Sequence, residues 1–128
     1  MVDRYSNLHN KKVLIVEDDD LLRHFMEKEF ILQEMICFNA SNLIEALNLL
    51  NKNVFDLVLS DINMQGGSGV DLVKKLHETH ASKKPKIIFM SGYAEFSTLE
   101  LKKMGVDQLI SKPFGVNEIF KVMSELLT

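Results

Sequence analysis

Glu17, Asp18, Asp61, Ser91 and Lys112 are the side chains whose types could do chemistry together: three carboxylates, one hydroxyl and one ammonium. Each lies at or near the end of a short apolar run, in the fragments VLIVEDD (13–19), DLVLSD (56–61), KIIFMSG (86–92) and LISKPF (109–114). Runs of this kind, rich in leucine and β-branched residues and alternating with helical stretches, read as parallel strands buried on both faces. The residue at each carboxyl end then lies on one edge of the sheet, the edge where open α/β sheets bind ligands. Carboxylates gathered there repel one another unless a cation neutralises them, and hard oxygen ligands suit Mg²⁺, with Mn²⁺ as the alternative. A carboxylate nucleophile, a hydroxyl and an ammonium around such an ion outline a phosphoryl-transfer site.

The elements that must position these residues run strand then helix, five times over. The first strand spans about Lys12 to Glu17, and Asp19 or Asp20 can cap a helix to about Glu34 with Leu21, Leu22, Phe25, Met26 and Phe30 at helical spacing. A short second strand near Met35 to Ala40 leads to Ser41 or Asn42 as the cap of a helix carrying Leu43, Ala46, Leu47 and Leu50, which breaks at Asn51-Lys52-Asn53. The third strand is Phe55 to Ser60. A glycine-rich loop, Ile62 to Gly69, reads as flexible and precedes a helix marked by Val70, Leu72, Val73 and Leu76 that ends before Lys83-Lys84-Pro85. Lys86 to Met90 forms the fourth strand, and a weaker helix from about Glu95 to Met104 stops at Gly105, which suits a left-handed cap. Gln108 to Ser111 is a brief fifth strand. In the last helix Val116, Ile119, Phe120, Met123 and Leu127 form one apolar stripe. Right-handed crossovers make this an α/β, (βα)5 doubly wound fold with a five-stranded parallel sheet, order 2-1-3-4-5, flavodoxin-like.

Composition agrees with one domain over residues 12–128, preceded by a polar, aperiodic leader at 1–11 that is expected to fray. The net charge of −3, from 15 basic and 18 acidic residues interspersed, supplies no continuous basic stretch for nucleic acid or anionic lipid. Cys37 stands alone, so no intramolecular disulfide forms and a reducing compartment is expected. No run approaches the roughly 18 apolar residues that span a bilayer, and the start lacks a secretory segment, so a cytoplasmic protein is expected. His9, His24, His77 and His80 share no metal-ligand spacing, and His77 and His80 are expected to face solvent on one helix. Gly66-Gly67-Ser68-Gly69 lacks the lysine-hydroxyl pair of a nucleotide-binding loop. No output domain is read in the chain, so it is expected to act through another protein unless it is an excised receiver.

An acidic pair after strand one, an aspartate ending strand three followed by x-x-Met and a later Gly, a hydroxyl ending strand four and Lys-Pro after strand five occur in order. In that combination the chain, from about Lys12 to Leu127, resembles a two-component response-regulator receiver domain, similar in size to the single-domain chemotaxis regulators. The resemblance implies a phosphorylation-activated signalling switch. Asp61 would accept a phosphoryl group from a histidine kinase or phosphotransfer protein, in a Mg²⁺-dependent reaction, and a downstream output protein would read the changed surface. Asp18 and Asp61 would bind the metal directly, Asn63 through its backbone carbonyl, and Glu17 mainly through water. Lys112, Ser91 and the Gly92 backbone would meet the phosphoryl oxygens, and the Lys112-Pro113 bond is expected to be cis, aiming the lysine inward. The chain would not be an enzyme with a separate substrate, although it promotes its own phosphorylation and dephosphorylation. The face made by the fourth helix, fifth strand and fifth helix would serve partner binding and dimerisation.

Three residues depart from the family pattern. Gln65 stands where a proline usually follows the Met, Gly92 where alanine is common, and Leu109 where many receivers carry a switching Tyr or Phe. Asn63 and Tyr93, two residues beyond Asp61 and Ser91, are expected to flank the path of a hydrolytic water. The alternative function is a constitutive protein-binding module on the same fold, which loss of the acidic pair, Asp61 or Lys112 would favour, and none is lost.

Overall fold

Side chains alternate across a strand, so a sheet covered on both faces needs apolar residues at successive positions. Val13, Leu14, Ile15 and Val16 are all fully buried for this reason. The computed structural model describes residues 4–64, 66–78, 84–92 and 96–128. Its elements are β1 (Lys12–Val16), α1 (Asp20–Leu32), β2 (Ile36–Ala40), α2 (Leu43–Lys52), β3 (Leu57–Asp61), the two-residue strands β4 (Asn63–Met64) and β5 (Gly67–Ser68), α3 (Gly69–Glu78), β6 (Lys86–Ser91), α4 (Thr98–Met104), β7 (Gln108–Ser111) and α5 (Val116–Leu126). The main sheet is parallel, in the order β2-β1-β3-β6-β7. Counting only its own strands, this is the expected order 2-1-3-4-5.

The two faces of the sheet carry separate cores. Val13 and Ile15, Leu57 and Leu59, and Ile88 and Met90 pack with Met26 and Phe30 of α1 and Ile119, Phe120 and Met123 of α5. Leu14 and Val16, Val58, and Ile87 and Phe89 pack with Ala46 of α2, Leu72, Val73 and Leu76 of α3 and Leu101 of α4. The α5 stripe therefore docks as its spacing predicts. The α1 stripe does so only in part, because Leu21 and Phe25 are 85% and 52% exposed, while Arg23 turns inward beside Met26 and Phe30.

Caps fix the ends of the helices near the upper edge. The Asp19 carboxylate accepts from Leu21 and Leu22 N–H and starts α1, and Asn42 accepts from Glu45 N–H and starts α2. Ser97 and Glu100 form a reciprocal capping box on α4, whose other end is closed by Gly105 at φ 84°.

Two expectations need correction. The expected leader, in its described part from residue 4 to 11, is not simply frayed: Ser6–Leu8 forms a 3₁₀ turn, Leu8 is fully buried, and Tyr5 stacks at a tilt on Phe120 with ring centroids 5.7 Å apart. Asn7 also exchanges hydrogen bonds with Ser124 of α5. The polar composition of the segment hid the anchoring by Tyr5 and Leu8. Likewise, the glycine-rich loop is not merely flexible. Asn63 and Met64 pair antiparallel with Ser68 and Gly67, and Gly69 lies so close to β3 that an added Cβ would stand 2.7 Å from the Asp61 carbonyl oxygen.

Candidate functional site

Parallel register brings the reactive residues to one edge. Val16 pairs with Ser60, Asp61 with Met90 and Ser91 with Ser111, so Glu17, Asp61, Ser91 and Lys112 end or follow four adjacent strands. Asp61 is the last residue of β3 and Ser91 the last of β6, one residue further than the sequence expectation placed the strand ends.

Glu17, Asp18 and Asp61 each offer one carboxylate oxygen, all within 4.8 Å of one another. Glu17 is 1% exposed, Asp61 is buried and Asp18 is open to solvent. Among the carboxylates stands the Lys112 ammonium, which donates to Glu17 Oε1 at 2.8 Å and to Asp61 Oδ2 at 3.2 Å. The other oxygens are also held: Glu17 Oε2 accepts from Asp19 N–H, and Asp61 Oδ1 accepts from Asn63 N–H. Burial pushes the Glu17 carboxyl above its ordinary range, against the lowering effect of the Lys112 and Asp19 hydrogen bonds. Burial pulls on Lys112 in the opposite sense, but its hydrogen bond and charge contacts with Glu17, followed by Asp61, leave the ammonium harder to deprotonate than an ordinary lysine. The pocket is thus an acidic cradle with one fixed positive charge. Its oxygen donors, close spacing and open Asp18 side fit a hard divalent cation.

Ser91 is buried, and its carbonyl accepts from Lys112 N–H at 2.6 Å, joining the ends of β6 and β7. Gly92 is exposed, with open space where a side chain would project. The Lys112-Pro113 bond is cis, as expected. Leu109 packs half-buried against the core beneath α4 and lines a cleft of about 210 Å³ with Phe96, Thr98 and Leu101. Tyr93 and Gln65 lie outside the described residues. His77 is exposed but not idle, since Nε2 lies 3.0 Å from the Met104 carbonyl.

Two residues at the site escaped the sequence reading. Gly69 lets α3 start against the Asp61 main chain. Arg23 sends Nη1 to the Glu17 carbonyl at 2.8 Å. The signal for Arg23 was a charged residue in the i, i+3, i+7 row with Met26 and Phe30, which are both core.

Residues 13–124 match the family model described as the response regulator receiver domain. The chain belongs to this family. The receiver is 29% identical over 119 residues to sporulation initiation phosphotransferase F of Bacillus subtilis, an alignment covering 92% of this chain and 94% of that protein. It is 34% identical over 119 residues to the probable transcriptional regulator ycf29 of Pyropia yezoensis, covering 91% of this chain but 53% of that protein. The receiver thus spans about half the length of that relative and nearly all of the former. Among solved structures it is similar to the response regulator protein TrrA of Thermotoga maritima in complex with Mg(2+)-BeF, at 27% identity and a TM-score of 0.77, covering 92% of this chain and 99% of that one. Receivers of this family are phospho-accepting signalling modules that bind Mg²⁺ at their acidic residues. No helix among the described residues is long and apolar enough to cross a membrane.

Proposed function

We propose that Asp61 is the phospho-acceptor, taking a phosphoryl group from a phosphohistidine on a histidine kinase or phosphotransfer protein. An O–P bond forms at the Asp61 carboxylate while the P–N bond to the donor imidazole breaks. The observation that carries this reading is the Lys112 ammonium, held between Glu17 and Asp61 at 2.8 and 3.2 Å, where it can follow the charge of the incoming phosphoryl oxygens.

Asp18 and Asp61 would hold Mg²⁺ directly, the Asn63 carbonyl would complete the protein ligands, and Glu17 would reach it through water. Bound there, the ion would neutralise charge on the phosphoryl oxygens and relieve repulsion among the carboxylates. Ser91 and the Gly92 amide complete the phosphoryl contacts, and Tyr93 would slow loss of the phosphoryl group to water. The chain is not an enzyme with a separate substrate; it promotes its own modification. It works in the cytoplasm, passing its state to an output protein and to a second copy through the face of α4, β7 and α5.

Incubation with Mg²⁺ and acetyl phosphate or a phosphohistidine donor, followed by mass spectrometry, tests this. One base-labile phosphoryl group on Asp61 is expected, lost in Asp61→Asn. Undiminished labelling of Asp61→Asn would move the acceptor elsewhere, and no labelling by any of several donors would favour a constitutive binding module.

A further inference from the structure

Arg23 is 7% exposed, an unusual place for a guanidinium. Its one carboxylate contact among the described ion pairs is with Asp20, 2.6 Å from Nη2, and that carboxylate belongs to a largely exposed side chain. Nη1 donates to the main-chain carbonyl of Glu17 at 2.8 Å, and Nε is buried with no hydrogen-bond partner. A buried cation with one donor unmet and its counter-charge at the surface is a poor device for stability. The geometry accomplishes something else. Glu17 is held at its N–H by the Ala40 carbonyl, at Oε1 by Lys112 and at Oε2 by Asp19 N–H. Arg23 takes the last polar atom, the carbonyl.

That carbonyl belongs to the peptide plane joining Glu17 to Asp18. Because the plane is rigid, fixing its oxygen fixes the direction in which the Asp18 residue leaves β1. We propose that Arg23 is a positioning residue for metal binding, holding the Glu17-Asp18 peptide so that the Asp18 carboxylate meets those of Glu17 and Asp61. The planar fork matters, since one nitrogen serves the Glu17 carbonyl while another serves Asp20 at the start of α1, a pairing that a lysine ammonium does not reproduce. This rests on the reading of the acidic cluster as a Mg²⁺ site.

The sign of the effect separates positioning from plain electrostatics. Removing a positive charge near three carboxylates should tighten Mg²⁺ binding if charge alone acts. If Arg23 positions the ligands, Arg23→Met should weaken it by about tenfold, the lower end of what loss of a ligand-orienting partner costs. Calorimetric titration of Mg²⁺ into the full chain reads the affinity, circular dichroism verifies the fold, and amide NMR of the metal-free protein reads displacement of the Asp18 N–H. The expected result is weaker binding in folded Arg23→Met with the Asp18 amide shifted before any metal is added. Equal or tighter binding, or an unmoved Asp18 amide, overturns the proposal. Should Arg23→Met fail to fold, Arg23→Lys keeps charge and stem without the fork and should bind several-fold more weakly, whereas unaltered affinity there overturns it. Absence of saturable binding in the unsubstituted protein would instead overturn the Mg²⁺ reading, and the metal-free amide shift would still decide the Arg23 contact.

Discussion

Ser91 and Lys112 are joined through the main chain: Lys112 N–H donates to the Ser91 carbonyl at 2.6 Å. Ser91 and the lysine whose ammonium stands in the acidic pocket are therefore mechanically linked, and displacing the end of β6 must strain the turn after β7. Just below that turn, Leu109 packs beneath α4. A leucine cannot present a hydroxyl to a partner as a tyrosine would, so any signal must leave through backbone displacement.

A phosphoryl mimic bound with Mg²⁺ is accordingly expected to perturb Phe96 to Leu101 and Leu109 to Ile119 as well as the pocket. NMR shift mapping checks this, and Ser91→Ala should suppress the distal changes while leaving those around Asp61. The proper description is a population shift, because the mimic can act only by favouring one pre-existing arrangement. Distal shifts that survive unchanged in Ser91→Ala would exclude the Ser91 route.

Lys112 should separate metal binding from phosphoryl transfer. In Lys112→Met the carboxylates lose their resident cation, so Mg²⁺ should bind more tightly through reduced charge competition. Phosphorylation of Asp61 should nevertheless slow, by roughly a hundredfold, the scale seen when one fixed stabilising donor is removed from a transition state. Calorimetry and the rate of labelling by acetyl phosphate measure the two halves. A variant that is weaker in metal binding and normal in rate would contradict the role given to this ammonium.

Cys37 offers a pH-dependent check on packing. Burial, with a smaller contribution from the Glu27 charge, pushes its thiol from the ordinary 9.0 up to about 12. At pH 8 the thiolate population is then roughly a thousandfold below that of a free cysteine, and alkylation of the native protein should be correspondingly slow. The linkage sign follows: the folded state keeps the proton longer than the unfolded state, so this stabilisation is complete below pH 9 and is lost as pH rises towards 12. The stability difference between the unsubstituted protein and Cys37→Ala should be flat below pH 9 and shrink above it. Rapid alkylation of folded protein at pH 8 would mean that β2 does not bury the thiol.

Strand order and the placement of Glu17, Asp61, Ser91 and Lys112 were legible because buried parallel strands leave unbroken apolar runs, and each run ended beside a reactive residue. What the sequence hid shares a different cause. Leu8 stands apart from the other apolar residues of its polar segment, with no period to mark it, yet the groove beside α5 takes it entirely. Leu21 and Phe25 fit helical spacing but fall on the solvent side, since spacing defines a stripe without saying which of two adjacent stripes meets the sheet. Arg23 and Gly69 act through main-chain oxygens of Glu17 and Asp61, and contacts to the backbone leave no complementary side chain to find.

The end of α4 supplies the last prediction, through Gly105 and His77. Gly105 adopts a left-handed φ of 84°, and a Cβ there would stand 2.3 Å from His77 Nε2, so both backbone conformation and close approach call for glycine. The Lys84 ammonium lies 3.2 Å from Nδ1 and can only donate, which assigns the ring proton to Nε2, where it bonds the Met104 carbonyl at 3.0 Å. This bond satisfies one of the carbonyls left open at the end of α4 and ties α3 to α4. Gly105→Ala should cost about 1–2 kcal/mol from the left-handed conformation alone, with more from displacing the imidazole. His77→Ala should cost only about 1 kcal/mol, the net worth of a hydrogen bond. In the His77→Ala background the Gly105 substitution should fall back to its backbone cost, giving a non-additive double-mutant cycle by denaturant unfolding. Strict additivity would show that the imidazole does not press on this cap.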